Sequence, residues 1–171
     1  RTGEPVAAVI RDRLPVTIEL AALATLTSLL IAIPAGVISA VRRGGVVDAI
    51  ARLAALIGLS VPNFLLGTLL ILFVSLRWPV LPTTGFVPLS QGLGENLRSL
   101  ALPTISLGAL LAASIMRMTR SSLLEELRRD YLMVARAKGL SNRAVVLSHA
   151  LRNSLIPVIT VVGVQTGYLL G

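Results

Sequence analysis

The chain has 171 residues, of which 54% are apolar and 14% are charged, with 16 Lys and Arg against 8 Asp and Glu. Soluble globular chains carry about 25% charged residues, so this composition excludes an ordinary water-soluble enzyme. The absence of cysteine and the presence of one histidine exclude disulfides, thiolate chemistry and a multi-histidine metal site. The only lysine, Lys138, follows no glycine-rich phosphate loop, so the chain does not bind ATP by that route. We therefore predict no catalytic residues, no metal site and no cofactor of its own.

Four long stretches contain no charge and indicate membrane helices. They are residues 20–41, 53–76, 99–116 and 153–171, which contain 22, 24, 18 and 19 residues. About 20 apolar residues cross a bilayer as a helix, so the predicted fold class is all-α, a polytopic integral membrane helical bundle. The chain starts at Arg1 rather than Met, and its last apolar run reaches Gly171. From these ends we expect a fragment of a longer membrane protein.

The N-terminal half of the chain is predicted to form two membrane spans and an external loop. Residues 1–15 mix charged and apolar side chains and are expected to form a short external interfacial segment. The first span, 16–41, is expected to kink at Pro34 and the second, 49–76, at Pro62, because proline removes a backbone donor. The stretch around Trp78 is rich in proline and aromatic residues, which suits an irregular loop at the headgroup level.

The C-terminal half predicts two further spans, 100–116 and 154–171, separated by a long polar segment. Within that segment, residues 123–152 have apolar positions at spacings of three and four, which predicts two short amphipathic helices. Gly139 is expected to end the first of them in the left-handed conformation, and Ser141 to cap the second. Glu125 and Arg129 are spaced to form an ion pair on the first helix.

The distribution of positive charge predicts the orientation. Lys and Arg number three in 42–52, two in 77–98 and eight in 117–152. Positive residues are retained on the cytoplasmic side, so 42–52 and the polar segment are expected to face the cytoplasm. Membrane topology accounts for the basic residues, and nucleic acid is not an expected partner. The polar segment fits a surface that docks a cytoplasmic partner or one that lies on anionic lipid, and its acidic residues weaken the lipid interpretation.

Several uncharged residues inside the spans are candidates for contacts with other helices or with solute. Asn63 and Gln165 are predicted either to bridge helices or to line a solute path, because an unsatisfied polar group is costly there. Gly163, Gly167 and Gly171 repeat every fourth residue. This spacing predicts a small-residue face that packs closely against another helix.

A set of short motifs extends along the whole chain. In and after the polar segment they are Asp130-Tyr131, residues 135–141 (Ala-Arg-Ala-Lys-Gly-Leu-Ser) and residues 149–158 (His-Ala-Leu-Arg-Asn-Ser-Leu-Ile-Pro-Val). Upstream they are residues 13–20, 33–37, 58–64 and 102–104. In this order the motifs closely resemble the B-type permease subunits of dipeptide and oligopeptide (peptide/nickel-type) ABC importers, which are binding-protein-dependent inner membrane transport components.

The resemblance implies an ABC importer permease (MetI-like) fold in a bacterial or archaeal inner membrane. It also implies a second homologous permease that completes the path for a peptide-like solute, two cytoplasmic ATPase subunits that bind the ATP, and an external solute-binding protein. Part of the polar segment looks like the family's coupling helices, which sit in a groove on the ATPase. The residues concerned are Ala135, Arg136, Ala137, Lys138, Gly139, Leu140, Ser141 and Arg143.

Two features leave alternatives open. The wider superfamily pattern begins Glu-Ala-Ala, and Met133 and Val134 replace its first two residues, which leaves the ion-pair role of that glutamate unassigned. A stand-alone secondary transporter or channel is the main rival function, although it normally needs intramembrane ionisable groups and the four uncharged runs contain none. The solute itself is open among dipeptides, oligopeptides, nickel complexes, glutathione and oligosaccharides.

Overall fold

Long apolar helices make up most of the chain. A computed structural model describes residues 6–75, 77, 81–82 and 84–170. The helices are α1 (Val6–Val41), α2 (Val46–Ser60), α3 (Asn63–Leu70), α4 (Leu93–Glu126), α5 (Asp130–Ala137), α6 (Asn142–Ala144) and α7 (Leu151–Leu170). A π-helical stretch, Ile71–Ser75, continues α3, and another, Val145–Ala150, joins α6 to α7. No strand occurs in these described ranges, and the predicted all-α class is confirmed.

Three of these helices are long and apolar enough to cross a membrane. They cover Val9–Val41, Leu93–Glu126 and Asn142–Leu170. A fourth candidate consists of Val46–Ser60 and Asn63–Ser75, which are bent by 102° relative to each other. The chain is therefore a multi-pass membrane protein.

Helix α4 lies at the centre of the bundle and contacts α1, α2, α3 and α7. Small residues allow this close packing. A Cβ on Gly36 of α1 would lie 2.8 Å from Thr119 Cβ, and one on Gly108 of α4 would lie 3.3 Å from the carbonyl oxygen of Ala24. In membranes, helix association depends on such close contacts because lipid supplies no hydrophobic driving force between helices.

The N-terminal segment is continuous with the first long helix. Residues 6–15 are part of α1, so no separate helix ends near residue 15, and the interfacial position of residues 1–15 stays a prediction. Ending a helix leaves four carbonyl groups without partners, which favours continuing α1 through this region. Pro34 also lies inside α1, which continues on both sides of it. Residues 1–5 lie outside the described ranges.

The second predicted span, 49–76, is not one continuous helix. Val61 is extended, with φ −83° and ψ 120°, as expected for a residue that precedes a proline. The chain turns there by 102°, which is far more than a kink. Leu76 and Trp78 lie outside the described residues, so the end of this span and the predicted loop at Trp78 stay predictions.

The polar segment is also arranged differently. Helix α4 runs ten residues beyond the predicted end at Met116, because Thr119 and Leu123 remain buried within the bundle. The second predicted short helix is instead the beginning of the last long helix, which starts at Asn142. One short helix, α5, therefore stands between two long ones, and we call residues 130–143 the elbow.

A first core cluster surrounds Leu111 and Ile115 of α4, and a second core cluster holds the elbow against the bundle. Its buried members are Ala40, Leu123, Leu132, Val145 and Ala150. They bring together the end of α1, the end of α4, the elbow and the beginning of the last helix. The 42–45 loop that follows α1 and the elbow therefore lie at the same end of the bundle, which we call the elbow end. This placement agrees with the charge distribution that predicts one side of the membrane for both.

Candidate functional site: the elbow surface

Helix α5 is fixed by one face and open on the other. Leu132 is fully buried in the second core cluster, and Ala135 is half-buried against it. Met133 and Val134 lie between these two residues in the sequence, on the opposite face of the helix, and are exposed apolar residues. The elbow is thus a packed element with an exposed apolar face, as expected for a short helix that contacts another protein.

The predicted coupling residues lie together on this surface. Ala135 is half-buried, and the rest of the set is exposed: Arg136, Ala137, Lys138, Gly139, Leu140, Ser141 and Arg143. Three of these are basic, so the surface combines positive charge with the apolar side chains of Leu140 and α5. Such a mixture suits a protein partner that has acidic and apolar groups.

Backbone hydrogen bonds define the turn at Gly139. The amide of Gly139 donates to the carbonyl of Arg136 at 2.9 Å, and the amide of Leu140 donates to the carbonyl of Ala135 at 3.3 Å. Gly139 has φ +86°, which confirms the predicted left-handed helix terminus. Ser141 Oγ accepts a hydrogen bond from the amide of Ala144 at 3.3 Å, which confirms the predicted N-cap.

The described part of the chain leaves open space around Gly139. A Cβ built there would meet none of its atoms within 4 Å. A side chain at this position would therefore cause backbone strain rather than a clash inside the chain, at a cost of about 1–2 kcal/mol for most L-residues.

A polar cluster connects the elbow to two long helices, and the sequence did not predict it. Tyr131 Oη donates to Glu126 Oε1 at 2.6 Å, and Asn153 Nδ2 donates to Tyr131 Oη at 2.9 Å and to Glu126 Oε1 at 3.2 Å. Partial burial and the hydrogen bond to Glu126 raise the pKa of Tyr131, so the phenol remains protonated and donates. We call these three residues the Tyr131 cluster. It joins the end of α4, the start of α5 and the start of α7.

Arg129 lies beside this cluster. Its guanidinium is 4.0 Å from Glu125 Oε1, which confirms the predicted pair, and 3.9 Å from Glu126 Oε2. The one signal that could have pointed to the Tyr131 cluster is its sequence context, because Tyr131 and Asn153 both lie within the motifs that carry the family resemblance. Helical periodicity alone assigned Tyr131 to an apolar face.

A buried ion pair at the elbow end was also missed. Asp48 is 1% exposed and accepts from Arg120 Nε at 2.7 Å and from a terminal guanidinium nitrogen of Arg120 at 2.9 Å. Ser39 Oγ donates to Asp48 at 2.6 Å, and the amide of Gly44 donates to it at 2.9 Å. This Asp48 cluster connects α1, α2 and α4. Charge counting placed Asp48 and Arg120 in separate loops and gave no reason to pair them.

The two candidate solute-path residues contact neighbouring helices. Gln165 Nε2 donates to Ser114 Oγ at 3.4 Å, which connects α7 to α4. At Asn63 it is the backbone carbonyl that accepts from Ser106 Oγ, at 2.9 Å. These contacts agree with the helix-bridging alternative for Gln165, and a role of either side chain in a solute path stays a prediction.

The predicted glycine face packs against no residue that the structure describes. A Cβ on Gly163 or Gly167 would meet no atom within 4 Å, and Gly171 lies outside the described residues. Packing of this face against another subunit stays a prediction. Gly36, Gly58 and Gly108 do pack closely, and they were not predicted as packing positions, because their sequence context does not show which helix faces them.

The comparisons with known proteins identify the family. A model of the binding-protein-dependent transport system inner membrane component matches residues 32–171, which include the Asp48 cluster, α4, the elbow and the last helix. The chain belongs to this family. The resemblance stated from the motifs is therefore correct.

Individual members of the family are similar over nearly the whole chain. The "Probable peptide ABC transporter permease protein y4tP" of Sinorhizobium fredii is 39% identical over 170 residues, which cover 99% of this chain and 54% of that protein. The dipeptide transport system permease protein DppB of Escherichia coli is 40% identical, over 92% of this chain and 53% of its own length. The oligopeptide transport system permease protein AppB of Bacillus subtilis is 38% identical, over 100% and 55%. The chain spans about half the length of these relatives.

Proposed function

We propose that this chain is part of a permease subunit of an ATP-binding-cassette importer for a peptide-like solute. The names of the similar proteins, which describe dipeptide and oligopeptide permeases, support this solute class. In the proposed assembly a second homologous permease completes the path, an external binding protein delivers the solute, and two cytoplasmic ATPase subunits bind the ATP. The chain itself contributes no catalytic group.

The observation that carries the proposal is the rigid attachment of an exposed, basic elbow to the membrane helices. Leu132 is anchored in the second core cluster, and the Tyr131 cluster joins α5 to both α4 and α7. An ATPase that contacts Arg136, Lys138 and the apolar face of α5 would therefore move these helices together with the elbow. A flexible loop would absorb such a displacement instead of transmitting it.

The energetic requirement is simple. Nucleotide binding shifts the membrane helices between two states only if ATP binds the assembly more tightly in one state than in the other. The elbow supplies the contact through which this difference acts. Weakening the contact should leave folding and insertion intact while lowering the amount of solute moved per ATP hydrolysed.

Co-purification and transport provide the primary test. We expect the full-length permease to co-purify with a cytoplasmic ATPase subunit. We also expect membrane vesicles to accumulate peptide only when ATP is inside and binding protein is outside. Uptake by the permease alone, driven by an ion gradient, would contradict the proposal and support a stand-alone transporter.

Substitutions at Gly139 test the docking itself. Gly139→Asn keeps access to the left-handed conformation but adds bulk to the surface, whereas Gly139→Ala adds little bulk but strains the backbone. If the elbow docks closely, Gly139→Asn should lower peptide uptake per ATP hydrolysed at least as much as Gly139→Ala. If Gly139 serves only as a helix terminus, Gly139→Asn should transport normally, and that result would refute close docking at this position.

A further inference from the structure

A cavity with basic side chains opens between α2, α4 and α7 at the elbow end. It has a volume of about 680 Å³. Arg52, Arg117 and Arg120 supply its charged lining, and Leu56, Leu59 and Val161 supply apolar walls. We call it the basic cleft. It is separate from the exposed elbow surface, whose predicted coupling residues are not among the lining groups.

The positions of its residues along the chain place the cleft at the border of the apolar layer. Arg52 immediately precedes the uncharged run 53–76, and Arg117 immediately follows the uncharged run 99–116. Leu56, Leu59 and Val161 lie within uncharged runs. One end of the cleft is therefore at headgroup level, and its apolar walls continue toward the hydrocarbon layer.

The charges in and beside the cleft do not balance. Asp48 accepts two hydrogen bonds from Arg120, and its negative charge compensates the positive charge of that guanidinium. Arg52 is 3.6 Å from the same carboxylate and has an exposed side chain. Arg117 has no hydrogen bond or ion pair to any residue in the described part of the chain. The cleft is thus lined by three guanidinium groups, and the one carboxylate paired with them, Asp48, contacts two of these groups.

We propose that the basic cleft binds an anionic phospholipid, with its phosphodiester held by Arg52 and Arg117 and an acyl chain against Leu56, Leu59 and Val161. Arginine suits phosphate because its planar guanidinium offers two parallel donors. The apolar walls select a lipid over a free phosphate ion, since an ion would leave them without contact. Basic pockets between membrane helices are known to bind the anionic headgroups of lipids.

Native mass spectrometry of the full-length protein tests the proposal independently of transport. The protein is purified in mild detergent and titrated with phosphatidylglycerol or phosphatidylcholine of identical acyl chains. We expect phosphatidylglycerol to bind more tightly. From the effect of one basic residue near an anionic headgroup, Arg52→Gln and Arg117→Gln should each weaken its binding by about fivefold, and the double variant by more.

Matched variants separate this site from general electrostatics and from misfolding. Arg128→Gln removes one exposed positive charge at the same end of the bundle but outside the cleft, and it should leave phosphatidylglycerol binding unchanged. Arg117→Lys keeps the charge and should bind better than Arg117→Gln. Each variant must elute from size-exclusion chromatography like the unsubstituted protein.

Several outcomes would overturn the lipid site. Equal affinity for the two lipids would remove the role of the headgroup charge. Equal losses in Arg128→Gln and Arg117→Gln would indicate unspecific attraction. Displacement of phosphatidylglycerol by millimolar inorganic phosphate would identify a small-anion site, and the absence of any bound lipid would indicate that another segment or subunit fills the cleft.

Discussion

Replacing Asp48 with alanine should destabilise the bundle strongly, because it leaves Arg120 without its partner. Breaking a buried ion pair by removing one member costs about 3–5 kcal/mol. Arg120 is 20% exposed, so its guanidinium retains some access to water, and we expect a loss near the lower end, about 3 kcal/mol. Since about 1.4 kcal/mol is a tenfold change, the unfolding equilibrium should shift by about a hundredfold. Ser39 and the amide of Gly44 also lose their acceptor, which adds to the loss.

The measurement is reversible unfolding by SDS in mixed micelles, with the unfolded fraction read by pulse proteolysis. Arg98→Gln is the matched control, since it breaks an exposed pair with Glu95 on the same helix and should cost less than about 1 kcal/mol. The double variant Asp48→Leu with Arg120→Met should recover most of the loss, because an apolar pair leaves no unpaired charge. Equal effects of Asp48→Ala and Arg98→Gln, or a double variant as unstable as Asp48→Ala, would refute the reasoning.

Three further outcomes are expected. Gly36→Ala should destabilise the protein in SDS titration by about 1–3 kcal/mol, since its Cβ would lie 2.8 Å from Thr119 Cβ. The same change at Gly94 of α4, where a Cβ would meet no described atom within 4 Å, should be neutral or slightly stabilising. Tyr131→Phe should keep the packing of α5 but lower peptide uptake per ATP hydrolysed, whereas unchanged coupling would argue against transmission through its hydroxyl. Gly139→Ala should lower the thermal midpoint through strain of about 1–2 kcal/mol, and an unchanged midpoint would contradict the left-handed turn.

Local signals predicted several features of the elbow correctly. Gly139 takes the left-handed conformation and Ser141 caps the following helix, because both properties depend on residues within one turn. The lengths of the helices were less predictable. Helix α4 continues to Glu126 since Thr119 and Leu123 find buried positions in the bundle, and tertiary packing of this kind overrides a boundary drawn from charge.

The bend after Ser60 also depends on tertiary packing. Pro62 predicted a kink within one span, since proline removes a backbone donor, but the observed 102° turn depends on how α3 packs against α4. The Tyr131 cluster has a similar explanation. Glu126 and Asn153 are 27 residues apart, and no helical spacing relates positions on two different helices.

The amino-acid sequence by itself determined that this is a helical membrane protein, which family it belongs to and where the elbow turns, because hydropathy, motifs and caps are properties of neighbouring residues. Only the tertiary structure decided which groups meet across helices. Asp48 and Arg120 are 72 residues apart and form one buried pair because α2 and α4 approach closely over small residues such as Gly58 and Ala113. That approach depends on the crossing of whole helices, and no single segment contains this information.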